Sequence, residues 1–527
     1  MMGVRELVTC IEALPREYNA AVDLLGRNLI EGRSEKVAYI DSRGSWTYGA
    51  LADRVDRVGG MLKTLGVQAE QRVLMCLLDT IDFPTVFLGA IKAGVVPVPV
   101  NTLFPAETYA YMLRDSRARV AFVSEALVDK FDQIAAQCPD LQTIVVTGEG
   151  ADRTRLETLL AAAPPVAQAA PTHRDEAAFW LYTSGSTGEP KGVVHCHGSL
   201  RLTADLYAIP SVGYRESDVV HSVAKLFFAY GLGNGLTFPL AVGATTVLHD
   251  GRPTPDACTA LMLKHDVTVL CGSPTFFAAW LDHPGCPTRE QAKSLRAAVS
   301  AGEALPEALG RTFLDRFGVW ILDGLGSTEM LHIFISQQPG ALKLGASGKP
   351  VPGYEARLID DAGEIAPDGV LGELQVRGPT AALCYWNNRP KSTHTFMGEW
   401  TRTGDKYIRD EEGFYCYSGR SDDMLKVSGI YVSPFDVEAA LIRHPSVLEA
   451  AVVAWLDKDG LVKPKAFVVL SAANTDAPEA LEAALRAHVK ALVAAHAYPR
   501  WIEFVSDLPK TATGKIQRFK LRQLQDG

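Results

Sequence analysis

The sequence predicts an α/β fold. A large N-terminal domain of mostly parallel sheets flanked by helices, with a small β-rich subdomain, precedes a small C-terminal α/β domain. Three observations predict it. Strand-like and helix-like segments alternate along most of the chain, the rhythm of a parallel sheet covered by helices. The 527 residues exceed what one hydrophobic core usually serves, so at least two domains are expected. Between Tyr354 and Gly378 the pattern changes to short β-like runs split by Asp361-Ala362-Gly363 and Pro367-Asp368-Gly369, turn chemistry that suits a β-rich unit.

Trp46 to Leu65 carries Leu51, Val55, Val58 and Leu62 at helical spacing. Arg72 to Leu78 is apolar enough for a buried strand, and Thr85 to Gly94 reads as a helix ended by glycine. Val95 to Val100 reads as a strand, and Pro105 opens a further helix, since proline suits the first turn. Arg119 to Ser124 and Thr143 to Thr147 are strands. Ala161 to Pro171 is low in complexity and reads as a surface loop before the buried strand Ala177 to Leu181. Alternation resumes through Val219 to Leu248 and Val267 to Cys271. Leu295 to Ser300 is a strand that ends in Gly302-Glu303-Ala304, and a helix follows to Phe317. Val319 to Leu322 then leads into Asp323-Gly324-Leu325-Gly326-Ser327-Thr328-Glu329. The domain boundary is expected at Asp422, giving domains of residues 1–421 and 422–527.

Composition narrows the function. A net charge of -9 gives no electrostatic case for nucleic acid. Nine cysteines stand singly without a C-x-x-C pair, which argues against a disulfide framework or zinc site and fits a reducing cytoplasm. Met1 to Pro15 carries Arg5, Glu6 and Glu12 and no signal-peptide core. The most apolar window, Phe83 to Val100, holds Lys92 and three prolines, so no membrane span is expected. His195-Cys196-His197 lacks a nearby third ligand and reads as packing rather than metal binding.

Chemistry concentrates after the strand Ala177 to Leu181. Thr183, Ser184, Ser186 and Thr187 bring hydroxyls, Gly185 and Gly188 bring bare amides, and Lys191 brings a positive charge. That set suits a polyphosphate. It is not the G-x-x-x-x-G-K-[ST] loop, because Glu189 follows Gly188 and Gly192 follows Lys191. The stretch Thr183 to Gly192 resembles the phosphate loop of adenylate-forming enzymes: acyl- and aryl-CoA ligases, luciferases and peptide-synthetase adenylation domains.

Further segments resemble the same family in the same order. The resemblance implies that Gly302, Glu303 and Ala304 line the adenine plane, with Asp323, Gly324, Leu325, Gly326 and Ser327 beside it. Thr328 is then expected near the α-phosphate and Glu329 on Mg²⁺, which takes one or two carboxylates together with phosphates. Leu325 departs from the aromatic residue of many relatives and leaves the base to shape and to Asp323. Asp405 resembles the ribose ligand, since a carboxylate can accept from both hydroxyls, and Arg420 its companion. Asp422 matches the family's hinge, making the C-terminal domain mobile, and Ser428-Gly429 faces the pantetheine channel. Lys515 matches the catalytic lysine. Many relatives have a lysine where this chain has Ala497, taken here as a surface position.

A carboxylate must become electrophilic before a thiol can attack it. The resemblance implies attack on the α-phosphate of ATP, loss of pyrophosphate, and displacement of AMP by coenzyme A. Phe228, Ala229, Tyr230 and Gly231, with Gly326, His332 and Ile333, resemble the pocket of benzoate- and 4-hydroxybenzoate-CoA ligases. His332 is expected to donate to the carboxylate or to a ring substituent. The expected ligands are a small aromatic carboxylate, ATP, Mg²⁺ and CoA. A second copy of the chain, as a homodimer, is the one protein partner considered. Three other readings remain: an aryl-adenylating enzyme that loads a separate carrier, a P-loop NTPase, and a non-catalytic ATP-binding module. The absent G-K-[ST] weighs against the second, and Glu329 with Lys515 against the third.

Overall fold

Val120-Ala121-Phe122-Val123-Ser124, buried along its whole length, shows how the N-terminal region is built. The structure is a computed structural model. It describes residues 10–148, 153–183, 189–421, 423–427, 430–458, 461–471, 478–493, 497–510 and 516–524, without the side chains of 426, 430, 431, 478 and 479. Four parallel strands lie in the order Val96–Pro99, Arg72–Cys76, Val120–Ser124, Thr143–Thr147. Successive residues feed different cores: Val73, Met75, Val120 and Phe122 pack on one side, and Leu74, Cys76, Ala121 and Val123 on the other. A sheet buried on both faces needs continuous apolar strands, and these sequences supply them.

A nine-stranded sheet forms the second layer. Its centre is parallel, running Thr245–Val247, Val219–Ser222, Val269–Gly272, Ala297–Ala301, Ile321–Gly326. One edge turns antiparallel through Ile333–Ser336 and Lys349–Pro350; at the other, Val37–Asp41 adds parallel to Thr245–Val247 and Gly44–Thr47 closes the sheet antiparallel. Capping chemistry sets several helix starts. Thr47 accepts from the Ala50 amide before Tyr48–Thr64, and Ser273 from the Phe276 amide before Pro274–Asp282. Glu307–Phe317 ends at Gly318 in the left-handed conformation.

Two expectations about the N-terminal half shift. The second helix begins at Asp82 rather than Thr85, because Asp82 is buried in ion pairs with Arg43 and Arg54. Ala177–Thr183 does not join the parallel sheets. It pairs antiparallel with Lys191–Cys196, with Thr183 opposite Lys191.

The β-rich unit is larger than the sequence pattern suggests, taking in Glu355–Ile359, Leu371–Arg377, Phe396–Met397, Trp400–Arg409 and Tyr415–Arg420. In the C-terminal region Val447–Leu456 pairs antiparallel with Val462–Leu470, which pairs parallel with Trp501–Phe504. The helices Pro434–Ile442 and Pro478–Leu492 contribute Val437, Leu441, Leu481 and Leu485 to its core. Ala497 is buried in that core and not at the surface, so a lysine there would bring a charge into an apolar cluster.

Candidate active site

In open parallel sheets the C-terminal strand ends carry the ligand. Here those ends hold Gly272, Gly302-Glu303-Ala304 and Asp323 to Gly326. Thr275 donates to Glu303 Oε2 at 2.7 Å, linking two neighbouring strand ends. The strand Ile321–Gly326 runs further than expected, because Leu325 and Gly326 pair with Ile335 and Ile333. Gly326 is required by that pairing: a Cβ would lie 2.7 Å from the His332 carbonyl oxygen. Asp323 is buried, and burial pushes its pKa up to about 8. Its Oδ1 has no hydrogen-bond partner among the described residues.

After Gly326 the chain turns through Ser327, which caps Thr328–Met330 by accepting from the Met330 amide at 3.3 Å. This brings Thr328 and Glu329 to the strand ends. His195 donates from Nε2 to the Thr328 carbonyl at 2.7 Å and stacks on Phe179. That is the packing role expected for this histidine. His197 accepts from the Ala20 amide, and no group of His, Cys, Asp and Glu fit for a metal occurs among the described residues.

Tyr385 was not singled out by the sequence, where it sits in an apolar run. It lies on Cys384–Tyr385, paired with Lys191–Cys196, and its hydroxyl donates to Glu329 Oε1 at 2.6 Å. Lys191 Nζ lies 5.8 Å from the centre of its ring. Burial lowers the Lys191 pKa, as do Lys391 and Arg420, against the opposing pull of Glu329. Lysine, carboxylate and phenol are thus gathered where the strand Lys191–Cys196 begins. Asp405 and Arg420 face each other across paired strands, and Arg420 Nη1 donates to Asp405 Oδ1 at 3.0 Å. The Asp405 charge holds the guanidinium pKa above its ordinary value.

The segment Phe228-Ala229-Tyr230-Gly231 opens a short helix. Tyr230 donates to the Val299 carbonyl at 2.9 Å, across the strand ends. His332 is buried among Tyr207, Tyr230 and Phe238, with the Phe238 ring centre 4.5 Å away. Its Nε2 donates to the Tyr230 carbonyl at 3.3 Å, and burial lowers its pKa to about 3. Nδ1 is without a hydrogen-bond partner among the described residues. Leu331, just before it, has φ 67 and ψ -43, with the His332 amide donating to Met330 O at 2.9 Å. This is a γ-turn of the strained, positive-φ kind, a geometry that clusters at functional sites. Ile333 is buried against Gly324 and forms a floor beneath the turn.

Gly233 sets the distance to that wall. A Cβ there would fall 2.4 Å from His332 Cδ2 and 2.9 Å from Phe238 Cζ. Gly233→Ala is expected to shift His332 and to cost about 10²-fold in kcat/KM for the acid, the scale of a 1 Å misplacement. An unchanged kcat/KM would show that this wall does not border the reacting acid.

Ser184, Gly185, Ser186, Thr187 and Gly188, the hinge candidate Asp422, the channel candidates Ser428 and Gly429, and Lys515 lie outside the described residues. Of the phosphate-loop set, Thr183 ends one hairpin strand and Lys191 begins the other, as register partners.

Four buried histidines make the fold acid-sensitive. Burial lowers His195, His197 and His221 to about 4 and His332 to about 3. An unfolded histidine titrates near ~6.5. Between these values the unfolded chain binds more protons than the folded one, so stability is present above ~6.5 and lost as pH falls. Tm is expected to drop steeply from pH ~6.5 to pH ~4.5; a flat Tm over that interval would contradict the buried neutral state.

The chain matches the family model for AMP-binding enzymes over residues 27–386 and that for the AMP-binding enzyme C-terminal domain over 436–515. It is 60% identical over 511 residues to a benzoate–CoA ligase of Thauera aromatica, covering 97% of this chain and 96% of that protein. It is 49% identical over 513 residues to a 4-hydroxybenzoate–CoA/benzoate–CoA ligase of Rhodopseudomonas palustris, covering 97% and 95%. The crystal structure of a benzoate CoA ligase from Burkholderia xenovorans LB400 superposes with a TM-score of 0.90 at 52% identity, over 96% of this chain and all of that one.

Proposed function

The chain belongs to the AMP-binding enzyme family, and from that premise we propose that benzoate is the acid it activates, with ATP, Mg²⁺ and coenzyme A as its co-reactants. It is an AMP-forming aryl-CoA ligase, an acid–thiol ligase built from a large N-terminal and a small C-terminal domain. The boundary at Asp422, in the interval between the two matched families, is part of the proposal. So is a cytoplasmic location, which rests on nine cysteines that stand singly in the sequence without a C-x-x-C pair.

The observation that carries the choice of acid is the wall of Tyr207, Tyr230, Phe238 and neutral His332. Tyr230 is the half-buried ring of this group and rests on the buried His332, which Tyr207 and Phe238 back; an aromatic surface favours a flat aromatic acid over a flexible chain. The relative that takes both 4-hydroxybenzoate and benzoate supports a second substrate, and the unpartnered Nδ1 of His332 is an acceptor suited to a ring hydroxyl.

The remaining roles follow from charge. Acid and ATP are both negative, so their approach must be screened. Thr183, Lys191 and residues 184–188 would hold the β- and γ-phosphates, and Thr328 would sit by the α-phosphate. Bound Mg²⁺ would neutralise phosphate charge. Glu329 fits it: a single carboxylate leaves the other positions to phosphate oxygens and water, as Mg²⁺ prefers. Asp405, fixed by Arg420, would accept from the ribose hydroxyls. The strand ends at 302–304 and 323–327 would flank adenine. Lys515 would neutralise the attacking carboxylate and the α-phosphate, and Ser428 and Gly429 would border the thiol's path.

An AMP-release assay with a panel of acids, with and without CoA, tests this reading. AMP and pyrophosphate are expected, with benzoate preferred to hexanoate in kcat/KM. Close analogues should also react, because one methylene separates substrates by only about 10–200-fold. ADP as the main product would end the adenylation reading; better turnover of hexanoate would end the pocket assignment. Efficient transfer to a carrier protein but not to CoA would favour the carrier-loading alternative.

A further inference from the structure

We propose that Tyr385 is a positioning residue for adenylation, holding the Glu329 carboxylate in the orientation that receives the metal–ATP complex. The proposal rests on the reading of Glu329 as the metal ligand. Four contacts make the segment 380–386 a clamp between the hairpin and the Thr328–Met330 turn. Thr380 Oγ1 donates to the Met330 carbonyl at 2.8 Å, and the Ala382 amide to the Glu329 carbonyl at 2.8 Å. The Leu383 amide donates to Val194 O and the Trp386 amide to Gly192 O, both at 2.8 Å. Tyr385 lies within this clamp and reaches the Glu329 side chain through its 2.6 Å bond.

The geometry gives the phenol a defined task. A carboxylate has two oxygens; the bond to Oε1 fixes the torsion of the group and leaves Oε2 with no hydrogen bond among the described residues. The phenol is buried, and the carboxylate oxygen it meets can only accept, so the hydroxyl is the donor of this bond. Its ring meanwhile faces Lys191, the cation at the exit of the hairpin. One residue therefore sets both the anion that would hold the metal and the spacing to the cation that would hold phosphate. A mobile glutamate would have to be ordered on each binding event, at a cost in affinity.

Tyr385→Phe removes the hydroxyl and keeps the ring. Manganese binding can be followed by its electron paramagnetic resonance signal, in the presence of a non-hydrolysable ATP analogue and without turnover. We expect a weakening of about tenfold or more, the scale of one hydrogen bond to a charged group. The adenylation rate should fall in parallel, thioester formation from presynthesised benzoyl-adenylate should be unchanged, and Tm should stay close to that of the parent. Unchanged manganese affinity in Tyr385→Phe, alongside loss of affinity in Glu329→Gln, would overturn the role of Tyr385 while keeping the metal at Glu329. Unchanged affinity in both would overturn the reading of Glu329 and this proposal with it. Equal loss in both half-reactions with a lowered Tm would make the tyrosine structural only and also overturn it.

Discussion

Lys515→Ala should slow formation of the aryl-adenylate from acid and ATP by about 10²–10³-fold, the scale of losing one preorganised electrostatic partner. It should leave thioester formation from a presynthesised adenylate nearly intact. The asymmetry follows from where charge is concentrated. In the first half-reaction a carboxylate approaches a triphosphate, and a positive charge between them is worth most. In the second a thiol meets an adenylate that has already lost pyrophosphate, and the same charge has less to neutralise. Two companion variants separate position from charge. Gly429→Leu should obstruct the thiol and spare adenylation. Asp422→Pro, with φ fixed near −65°, should trap one domain orientation and slow whichever half-reaction needs the other. Single-turnover kinetics of each half-reaction decides. Equal slowing of both halves by Lys515→Ala would assign the lysine to binding or folding and remove support for two working orientations.

The fold was legible wherever local sequence and tertiary burial agree. Thr143-Ile144-Val145-Val146-Thr147 reads as a strand and is one, because a sheet covered on both faces needs that apolar continuity. The helix read as running to Phe317 does end there, and Gly318 in the left-handed conformation follows it. Legibility failed where partners lie far off in sequence. Asp82 looks like a loop residue until Arg43 and Arg54 arrive from other elements. Asp323-Gly324-Leu325-Gly326 has turn chemistry, yet pairing with Ile333–Ser336 draws it into the sheet, and its glycines admit that close approach.

The site divides in the same way. Phosphate-loop hydroxyls, Glu329 and Asp405 are conspicuous because such residues cluster in short, polar, glycine-rich stretches. Tyr385 is not, since nothing in Ala382-Leu383-Cys384-Tyr385-Trp386 separates a phenol on a carboxylate from one in a core. For His332 the sequence offers no sign of its contact with the Tyr230 carbonyl, 102 residues away in the chain, which no local pattern encodes.

Glu329→Gln should lower the adenylation rate by about 10²-fold or more with little effect on stability. Glutamine keeps the shape and an oxygen able to accept from Tyr385, so the turn at Thr328–Met330 should persist and only the charge is lost. That charge acts in two places. It would hold the metal, so the metal concentration needed for half-maximal adenylation should rise. It also favours the protonated form of Lys191 against burial, Lys391 and Arg420, all of which favour the neutral amine. Removing it should lower the Lys191 pKa further, so the alkaline limb of the adenylation profile should move to lower pH. The two effects are read separately, by titrating magnesium at fixed pH and by varying pH at saturating magnesium. Thioester formation from presynthesised adenylate, which involves neither pyrophosphate nor its departure, should change little. Adenylation within threefold of the parent under both titrations would mean that Glu329 neither binds the metal nor tunes Lys191, and the screening of phosphate charge would have to be sought elsewhere in the chain.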